Sequence, residues 1–156
     1  IFINKPYLEI IIGSLKYCKE NKKMKLFAYV IMPTHIHLII LPYGEMEISE
    51  IIRDFKRYTA KNIIQRIKTD DRINILTIFE NKAENIQDQK YQIWQRDYHP
   101  ELLIEEKFFR QKIEYIHNNP IRKGFVDKQE DWIYSSARNY INNDDSVIMI
   151  DKIELT

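Results

Sequence analysis

The feature that most constrains this chain is a pair of β-rich runs that almost touch each other in sequence. Residues 26–32 and 35–41 are dominated by aliphatic, β-branched and aromatic side chains, and only Pro33 and Thr34 separate them. So short a link has no room for a crossover helix, and the two runs therefore pair as an antiparallel hairpin. The sequence predicts an antiparallel sheet rather than a parallel one.

Stretches of helical periodicity lie on both sides of this hairpin. Apolar residues recur at helical spacing over residues 4–18 and 47–68, which predicts a first helix capped by Asn4 and a longer second helix. The rest of the chain predicts a short helix, a strand, a long helix ended by Pro120 and a short final helix, at residues 73–79, 91–95, 103–118 and from Ser135.

The order helix, hairpin, helix, strand, helix is that of an α+β protein. Antiparallel strands in such proteins carry helices on one face of the sheet, and we expect that packing here. With 156 residues and no internal repeat, the chain is predicted to form one domain over residues 1–156.

The composition is that of a globular chain with clustered positive charge. Hydrophobic residues make up 44% and charged residues 30%, while the formal net charge is only +1. Cations nevertheless gather over residues 53–68 and 107–123, whereas acidic residues gather elsewhere. Clustered cations suit a phosphate backbone, although a solvated helix face shows the same pattern.

The scarcity of cysteine and of long apolar runs indicates the cellular compartment. The single cysteine, Cys18, cannot form an internal disulfide, which favours a reducing cytoplasm. No apolar run approaches the ~20 residues of a membrane span, and the first residues do not have the pattern of a signal peptide. We therefore expect a cytoplasmic protein without a membrane partner.

A His-x-His pair opens the second β-rich run. His35 and His37 are two residues apart on a predicted strand, so both side chains point to one face while Ile36 and Leu38 point to the other. Two imidazoles side by side on a rigid strand make half of a divalent metal site. Histidines of the surface or the core, without any metal, would show the same spacing.

Tyr115 lies near the C-terminal end of the long predicted helix, four residues before Asn119, so that the two share a face. A tyrosine hydroxyl titrates near pH ~10 and attacks a phosphodiester only when the phosphate is polarised and the attack is in line. A metal on His35, His37 and a third group from this helix would supply both conditions. The structural alternative is a tyrosine at the edge of the core.

Four segments together resemble one family. Residues 28–38, AYVIMPTHIHL, resemble the metal motif of the IS200-like single-tyrosine transposases, which are His-hydrophobic-His nucleases. Residues 115–126, YIHNNPIRKGFV, look like the tyrosine motif of the REP-associated branch of that family. Residues 131–138, DWIYSSAR, and 54–59, DFKRYT, are similar to two further segments of that branch. The resemblance covers residues 5–141, with its landmarks in the right order.

The resemblance implies a fold, a chemistry and a substrate. The fold is ferredoxin-like, and the substrate is single-stranded DNA with a hairpin, either a REP-like repeat or a transposon end. Cleavage and rejoining pass through a 5′-phosphotyrosine intermediate with a free 3′-hydroxyl, and depend on Mg²⁺ or Mn²⁺. Carried over by position, Tyr115 is the nucleophile, and His35 and His37 are metal ligands. The protein would act as a monomer or a homodimer in the bacterial nucleoid.

The third metal ligand implied by position is Asn119. Its amide oxygen is a hard, neutral donor of a kind that Mg²⁺ and Mn²⁺ accept. His117 and Glu114 are neighbours that could take its place. Alternatively, Asn119 could cap the end of the helix before Pro120.

Two departures from the family pattern bear on completeness. The family's first strand should precede residues 6–12 and is absent from this sequence, so either the start is missing or the sheet is one strand short. Near the end, Asp144 and Asp145 stand where a long basic tail could have bound DNA. We therefore expect the body of the domain to recognise the hairpin.

Single-stranded DNA requires cations that track phosphates and aromatic rings on which bases stack. The cations that we expect to contact DNA come from the central helix, the region of the predicted strand and the end of the tyrosine helix: Arg53, Arg57, Lys61, Arg96, Arg122 and Lys123. Trp94, beside this set, is more readily explained as a core residue than as a stacking platform.

Two rival functions stand beside the transposase. One is a domesticated protein that holds hairpin DNA without cutting it. The other is a metal-dependent hydrolase in which water attacks and Tyr115 orients that water. A covalent protein–DNA adduct distinguishes the transposase from both, and cleavage without an adduct identifies the hydrolase.

Overall fold

The computed structural model describes residues 4–96 and 98–153. Its elements follow in the order α1 (Lys5–Asn21), β1 (Met24–Ile31), β2 (Ile36–Pro42), α2 (Ile48–Thr69), α3 (Ile73–Ala83), α4 (Glu106–Arg122) and α5 (Ala137–Asn142), with a 3-10 turn at Gln129–Asp131. The α+β class with an antiparallel sheet is confirmed. Over the described ranges this sheet has two strands, β1 and β2.

The hairpin forms as its short link predicts, with one irregularity in β1. Leu26 pairs with Ile40 and Ala28 pairs with Ile39, so that Phe27 is an extra residue in the ladder. Such a bulge locally twists the strand and offsets the alternation of its side chains. Before Phe27 the even-numbered residues of β1 therefore face the same side as the odd-numbered residues after it.

The side chains of β1 divide between two cores. The first core also contains α1, α2 and α3, and β1 contributes Met24, Leu26, Tyr29 and Ile31 to it. The second core contains α4, and β1 contributes Ala28 and Val30, while Met32 directly after the strand also belongs to it. Helices therefore cover both faces of β1, although the sequence analysis expected one covered face. The reason is that β1 is apolar on both sides, and such a strand must be covered twice.

The first core is built by α1 and α2 packed side by side. α1 buries Leu8, Ile11 and Leu15 at helical spacing. Asn4 is the residue before α1 as predicted, but its side chain makes no capping hydrogen bond. α2 begins with a reciprocal capping box between Glu47 and Glu50, which satisfies free N–H groups at the helix start.

Residues 91–95 do not form the strand predicted for them. The indole Nε1 of Trp94 donates to Thr59 Oγ1 of α2 at 2.8 Å, and Gln92 N donates to Phe79 O of α3 at 3.0 Å. Tyr91, Ile93 and Trp94 all pack against the first core. Contacts with two helices thus replace strand pairing, and Trp94 is a packing residue.

α4 starts at Glu106 and continues through Pro120, whereas the sequence analysis had the helix start at residue 103 and end before the proline. A proline in the last turn removes one backbone hydrogen bond, and burial of Pro120 offsets part of that loss. The helix ends instead at Arg122, two residues before Gly124, which has a φ of 75°. Phe125 N donates to Pro120 O and Gly124 N to Ile121 O, each at 2.9 Å, which is the Schellman arrangement.

The segment after α4 returns along the edge of β1 that β2 leaves free. Ile31 N donates to Tyr134 O and Ser136 N donates to Tyr29 O, both at 2.9 Å. Further on, Asp151 N donates to Leu26 O at 2.8 Å. This edge is therefore covered by the chain itself. Among the helices of the described ranges, none combines the length and the apolar character needed to cross a membrane.

Candidate active site

His35 and His37 lie on the face of the hairpin that looks towards α4. His37 is paired with Val30, which belongs to the second core, while Ile36 and Leu38 pack against the first core. The two imidazole centroids are 4.9 Å apart, with the rings nearly perpendicular. The alternation of the strand thus brings both rings to one place, as their spacing predicts.

Both histidines are held in the neutral form that can donate a lone pair to a metal. Burial, with the nearby charge of Lys123, lowers the pKa of His35. Burial lowers the pKa of His37 to about 4, and the positive charges of Lys112 and Arg122 act in the same direction. Nδ1 of His35 also lies 3.0 Å from Thr34 Oγ1. If Nδ1 carries the proton of that bond, Nε2 keeps a free lone pair.

Tyr115 stands beside this pair on the exposed side of α4. Its ring centroid is 5.8 Å from that of His37, with the rings almost perpendicular, and the residue is 41% exposed. The second core, through Ile113 and Ile116, holds α4 against β1. The hydroxyl group is therefore on a fixed helix, next to the histidines and open to solvent.

Three cations surround Tyr115. The guanidinium carbon of Arg122 lies 4.2 Å from the ring centroid, and Lys112 Nζ lies 5.1 Å from it. The pKa of Tyr115 is lowered, chiefly by its interaction with the Arg122 guanidinium and further by the charges of Lys112 and Lys123. Positive charge at this place favours both a phenolate and a bound phosphate.

Asn119 is buried one turn beyond Tyr115 on the same helix. It is 2% exposed, and within residues 4–96 and 98–153 its Nδ2 has no hydrogen-bond partner. No hydrogen bond of the amide nitrogen therefore fixes the orientation of this side chain. Because α4 continues past Asn119, the residue does not cap the helix end, and the alternative based on capping is excluded.

The two alternative ligands on α4 are engaged elsewhere. Nε2 of His117 lies 2.7 Å from Ser136 Oγ, inside the protein. The carboxylate of Glu114 accepts hydrogen bonds from Asn118 at 2.9 Å and Gln129 at 2.8 Å. In the part of the chain that the structure describes, no three His, Cys, Asp or Glu residues form a group able to hold a metal. A metal site here would therefore combine the two histidines with an oxygen of another kind, such as the amide of Asn119.

Five of the six cations expected at DNA fall into two sets, and Arg96 stands apart from both. Arg122 and Lys123 lie at the site, where both act electrostatically on Tyr115. The central-helix set, Arg53, Arg57 and Lys61, is exposed on α2, which packs in the first core rather than on the face of the histidines. Asp54 pairs with Arg53 and Arg57 at 3.3 and 3.2 Å. Arg96 is exposed, and its carbonyl oxygen lies 3.5 Å from Lys56 Nζ.

Lys112 is the site residue that the sequence analysis did not single out. It was counted only in the charge of residues 107–123, although its position three residues before Tyr115 places both on one face of a helix. Its ion pair with Glu101, at 2.7 Å, joins α4 to the segment before it. That pairing links residues 11 positions apart across a helix start, and no local pattern signals it.

Comparison with known proteins defines the class to which this fold and site belong. The model of the family described as "Transposase IS200 like" matches residues 2–119, which include His35, His37, Tyr115 and Asn119. The chain belongs to this family of transposases.

Particular relatives point to one branch of the family. A Haemophilus influenzae protein assigned by name to the REP-associated tyrosine transposases is 28% identical over 138 residues, covering 83% of this chain and 68% of that protein. The REP-associated tyrosine transposase of Escherichia coli is 24% identical over 120 residues, covering 76% of this chain and 57% of its own length. The chain thus spans between about half and two thirds of these relatives.

A solved structure of a REP-associated tyrosine transposase bound to a REP hairpin has the same fold. Its TM-score is 0.60 at 17% identity, and the match covers 97% of this chain and 79% of that one.

Proposed function

We propose that this protein cuts and rejoins single-stranded DNA that carries a hairpin, through a covalent bond between the DNA and Tyr115. The observation that carries the proposal is the placement of Tyr115, exposed on α4, 5.8 Å from the ring of His37 and flanked by Arg122 and Lys112. Packing at the edge of a core would not explain why two histidines and two cations surround this tyrosine. The REP hairpin bound by the related transposase supports a hairpin as the substrate.

The proposed step exchanges one phosphate ester for another. The Tyr115 oxygen forms a bond to phosphorus while the bond from phosphorus to the 3′ oxygen breaks. The 5′ phosphate is then linked to the tyrosine, and the proton that the tyrosine releases reaches the leaving 3′ oxygen through solvent. Because an aryl phosphate ester is itself a good substrate for attack, a 3′-hydroxyl can reverse the step, which suits a rejoining enzyme better than a hydrolase.

Arg122 and Lys123 orient the strand for this step. Arg122 lies on the Tyr115 ring, and a guanidinium in that position can hold the phosphate against the hydroxyl group. The positive charge around the tyrosine also favours loss of its proton. Positioning and charge together account for much of the acceleration in phosphoryl transfer.

A divalent cation, Mg²⁺ or Mn²⁺, would be held by His35, His37 and Asn119. The neutral imidazoles suit such an ion, and the amide oxygen of Asn119 is the hard donor that would complete the set. When bound, the metal supplies Lewis-acid polarisation of the scissile phosphate.

The test is a covalent-trapping assay. Single-stranded hairpins from the repeats that flank the gene are mixed with the protein and Mn²⁺, and denaturing gels compare the wild type with Tyr115→Phe. The proposal predicts a shifted band that requires the metal and disappears in the variant. Tyr134→Phe is the matched control, because Tyr134 lies on the segment after α4 and should keep the band.

Each other outcome identifies a rival function. Cleaved DNA without a shifted band would indicate the hydrolase. Hairpin binding with neither cleavage nor a band would indicate a domesticated binding protein. Either result would overturn the role proposed for Tyr115.

A further inference from the structure

Phe125 is an exposed aromatic residue that follows the tyrosine helix directly. It is 51% exposed, and its ring centroid lies 5.4 Å from that of Trp132, with the two planes tilted by 34°. Trp132 thus supports the Phe125 ring from the protein side, while much of the ring is open to solvent. A flat apolar partner would remove that surface from water at a favourable free energy.

The support for this ring is rigid. The indole Nε1 of Trp132 donates to Ile31 O at 3.1 Å, and the Trp132 ring packs against the second core. The backbone N–H of Phe125 is bonded to Pro120 O in the motif that ends α4. A ring held in this way loses little conformational entropy when a ligand binds.

Positive charge adjoins the ring. Arg122 and Lys123 precede Phe125 by three and two residues, and both are exposed. The guanidinium carbon of Arg122 lies 4.2 Å from the Tyr115 ring centroid, so the aromatic ring, the cations and the tyrosine share the C-terminal end of α4. Cations that bind phosphates next to a ring that stacks bases are the combination that single-stranded nucleic acid requires.

We propose that Phe125, backed by Trp132, is a stacking platform for an unpaired base of the DNA strand whose phosphate reaches Tyr115. The proposal takes its ligand, single-stranded DNA, from the proposed function. The adjoining cations favour a nucleotide over a protein partner, because they match a phosphate backbone. Since every base has a π face, the platform sets the position of the strand at the tyrosine rather than its sequence.

The experiment couples a change in the protein to a change in the DNA. Binding is measured with hairpins from the repeats flanking the gene, each with single-stranded tails, and with versions in which one tail nucleotide at a time is abasic. Every protein carries Tyr115→Phe, so that the strand stays intact. Phe125→Leu keeps an apolar side chain without a π face, whereas Phe125→Tyr keeps the ring.

Phe125→Leu is expected to weaken binding about tenfold, because stacking on one aromatic ring contributes about that much. Phe125→Tyr should bind like the parent. At one tail position the abasic substitution should weaken the parent by a similar factor and leave Phe125→Leu unchanged. Phe108→Leu is the matched control, because Phe108 is 50% exposed at the other end of α4 and should bind like the parent with every DNA.

Several results would overturn the platform: unchanged binding by Phe125→Leu, abasic effects that are equal in both proteins, or no binding of the tailed hairpins. Thermal melting checks that each variant folds. If Phe125→Leu does not fold, 2-aminopurine at the tail positions replaces it, and the platform predicts quenched fluorescence at one position. Coupling without a covalent adduct would refute only the cleavage by Tyr115, whereas an adduct without coupling would refute only the platform.

Discussion

The two cores on either side of β1 differ in what they bury. The first is almost wholly apolar, and its buried Thr59 is satisfied by donating to Phe55 O at 2.7 Å. Around α4 and the segment after it, the chain instead buries a series of polar side chains: His117, Asn119, Ser135, Ser136 and Asn139. Polar groups are costly to bury unless each is bonded, and most of these are bonded: His117 Nε2 lies 2.7 Å from Ser136 Oγ, and Asn139 donates to Ile148 O at 2.8 Å.

That difference indicates a division of labour across a single strand. The first core supplies the apolar burial that keeps β1 and its helices folded. The second core is smaller, and more polar side chains are buried around it. It holds α4 against β1 in the position that brings the Tyr115 ring next to His37. β1 belongs to both cores. The first core, which contains no residue of the site, therefore also holds the strand that supports the site.

The largest effect should come from truncation in the first core. Ile63 is fully buried on α2, and Ile63→Ala should lower the free energy of unfolding by about 2–5 kcal/mol, because it leaves a cavity. Adduct formation per folded molecule should not change. Urea denaturation and covalent trapping measure the two quantities.

The matched variant is Ile116→Ala, in the second core and next to Tyr115 in sequence. It should lower stability by a similar amount and also slow adduct formation, because α4 loses packing contacts with β1. Equal adduct rates in the two alanine variants would contradict the division of labour.

A change at the histidine pair should affect adduct formation strongly and stability little. His37→Gln should slow adduct formation about 100-fold or more, equivalent to about 3 kcal/mol, because the proposed metal site would lose a ligand. Stability should change by less than about 1 kcal/mol, since His37 is only half-buried. The adduct rate is measured over a range of Mn²⁺ concentrations, and a rate like that of the wild type would count against His37 as a ligand.

The two sets of cations offer a matched pair with a smaller effect. Arg122→Gln should slow adduct formation about tenfold at saturating DNA, because the guanidinium on the Tyr115 ring is lost. Arg57→Gln, in the exposed ion pair with Asp54, should change only the affinity for DNA and its salt dependence. The same loss of saturated rate in both variants would show that α2 also takes part in the chemistry.

The smallest effect concerns the pH dependence of folding. Burial lowers the pKa of His117 to about 4, whereas an ordinary histidine in the unfolded chain titrates near pH ~6.5. Between these values the unfolded chain binds more protons, so the free energy of unfolding should fall as the pH is lowered from about 6.5 to 4. His117→Gln should reduce that slope in metal-free protein, while His35 and His37, whose pKa values are also lowered, keep the remainder. Urea denaturation at several pH values measures it, and an unchanged slope would argue against a neutral buried His117.

Features set by short-range rules were predictable from the sequence. The hairpin followed from its short link, α1 and α2 followed from their apolar periodicity, and the shared face of His35 and His37 followed from strand alternation. The neighbourhood of Tyr115 and Arg122 was anticipated in part, because Arg122 was expected just past the tyrosine helix; the structure places it within α4, two turns after Tyr115.

Features that depend on distant contacts were not predictable. Residues 91–95 have the composition of a strand, but Thr59 and Phe79 offer them helix contacts instead. The local preference against a helix before proline was outweighed by the burial of Pro120. The cations of α2 lie away from the histidine face because α2 packs in the first core. The pattern of charges along the chain does not reveal in which core a helix packs.

The extra residue Phe27 has a consequence for engineering this protein. Its carbonyl oxygen accepts a hydrogen bond from the Tyr140 hydroxyl at 2.7 Å, so the irregular residue is anchored by the C-terminal segment. Deleting Phe27 would make Leu26 and Ala28 adjacent, opposite Ile40 and Ile39, so both faces of β1 would be kept while the carbonyl that anchors Tyr140 would be lost. A chimera that borrows this hairpin for another member of the family must therefore transplant Phe27 and Tyr140 together, as a single inheritable unit.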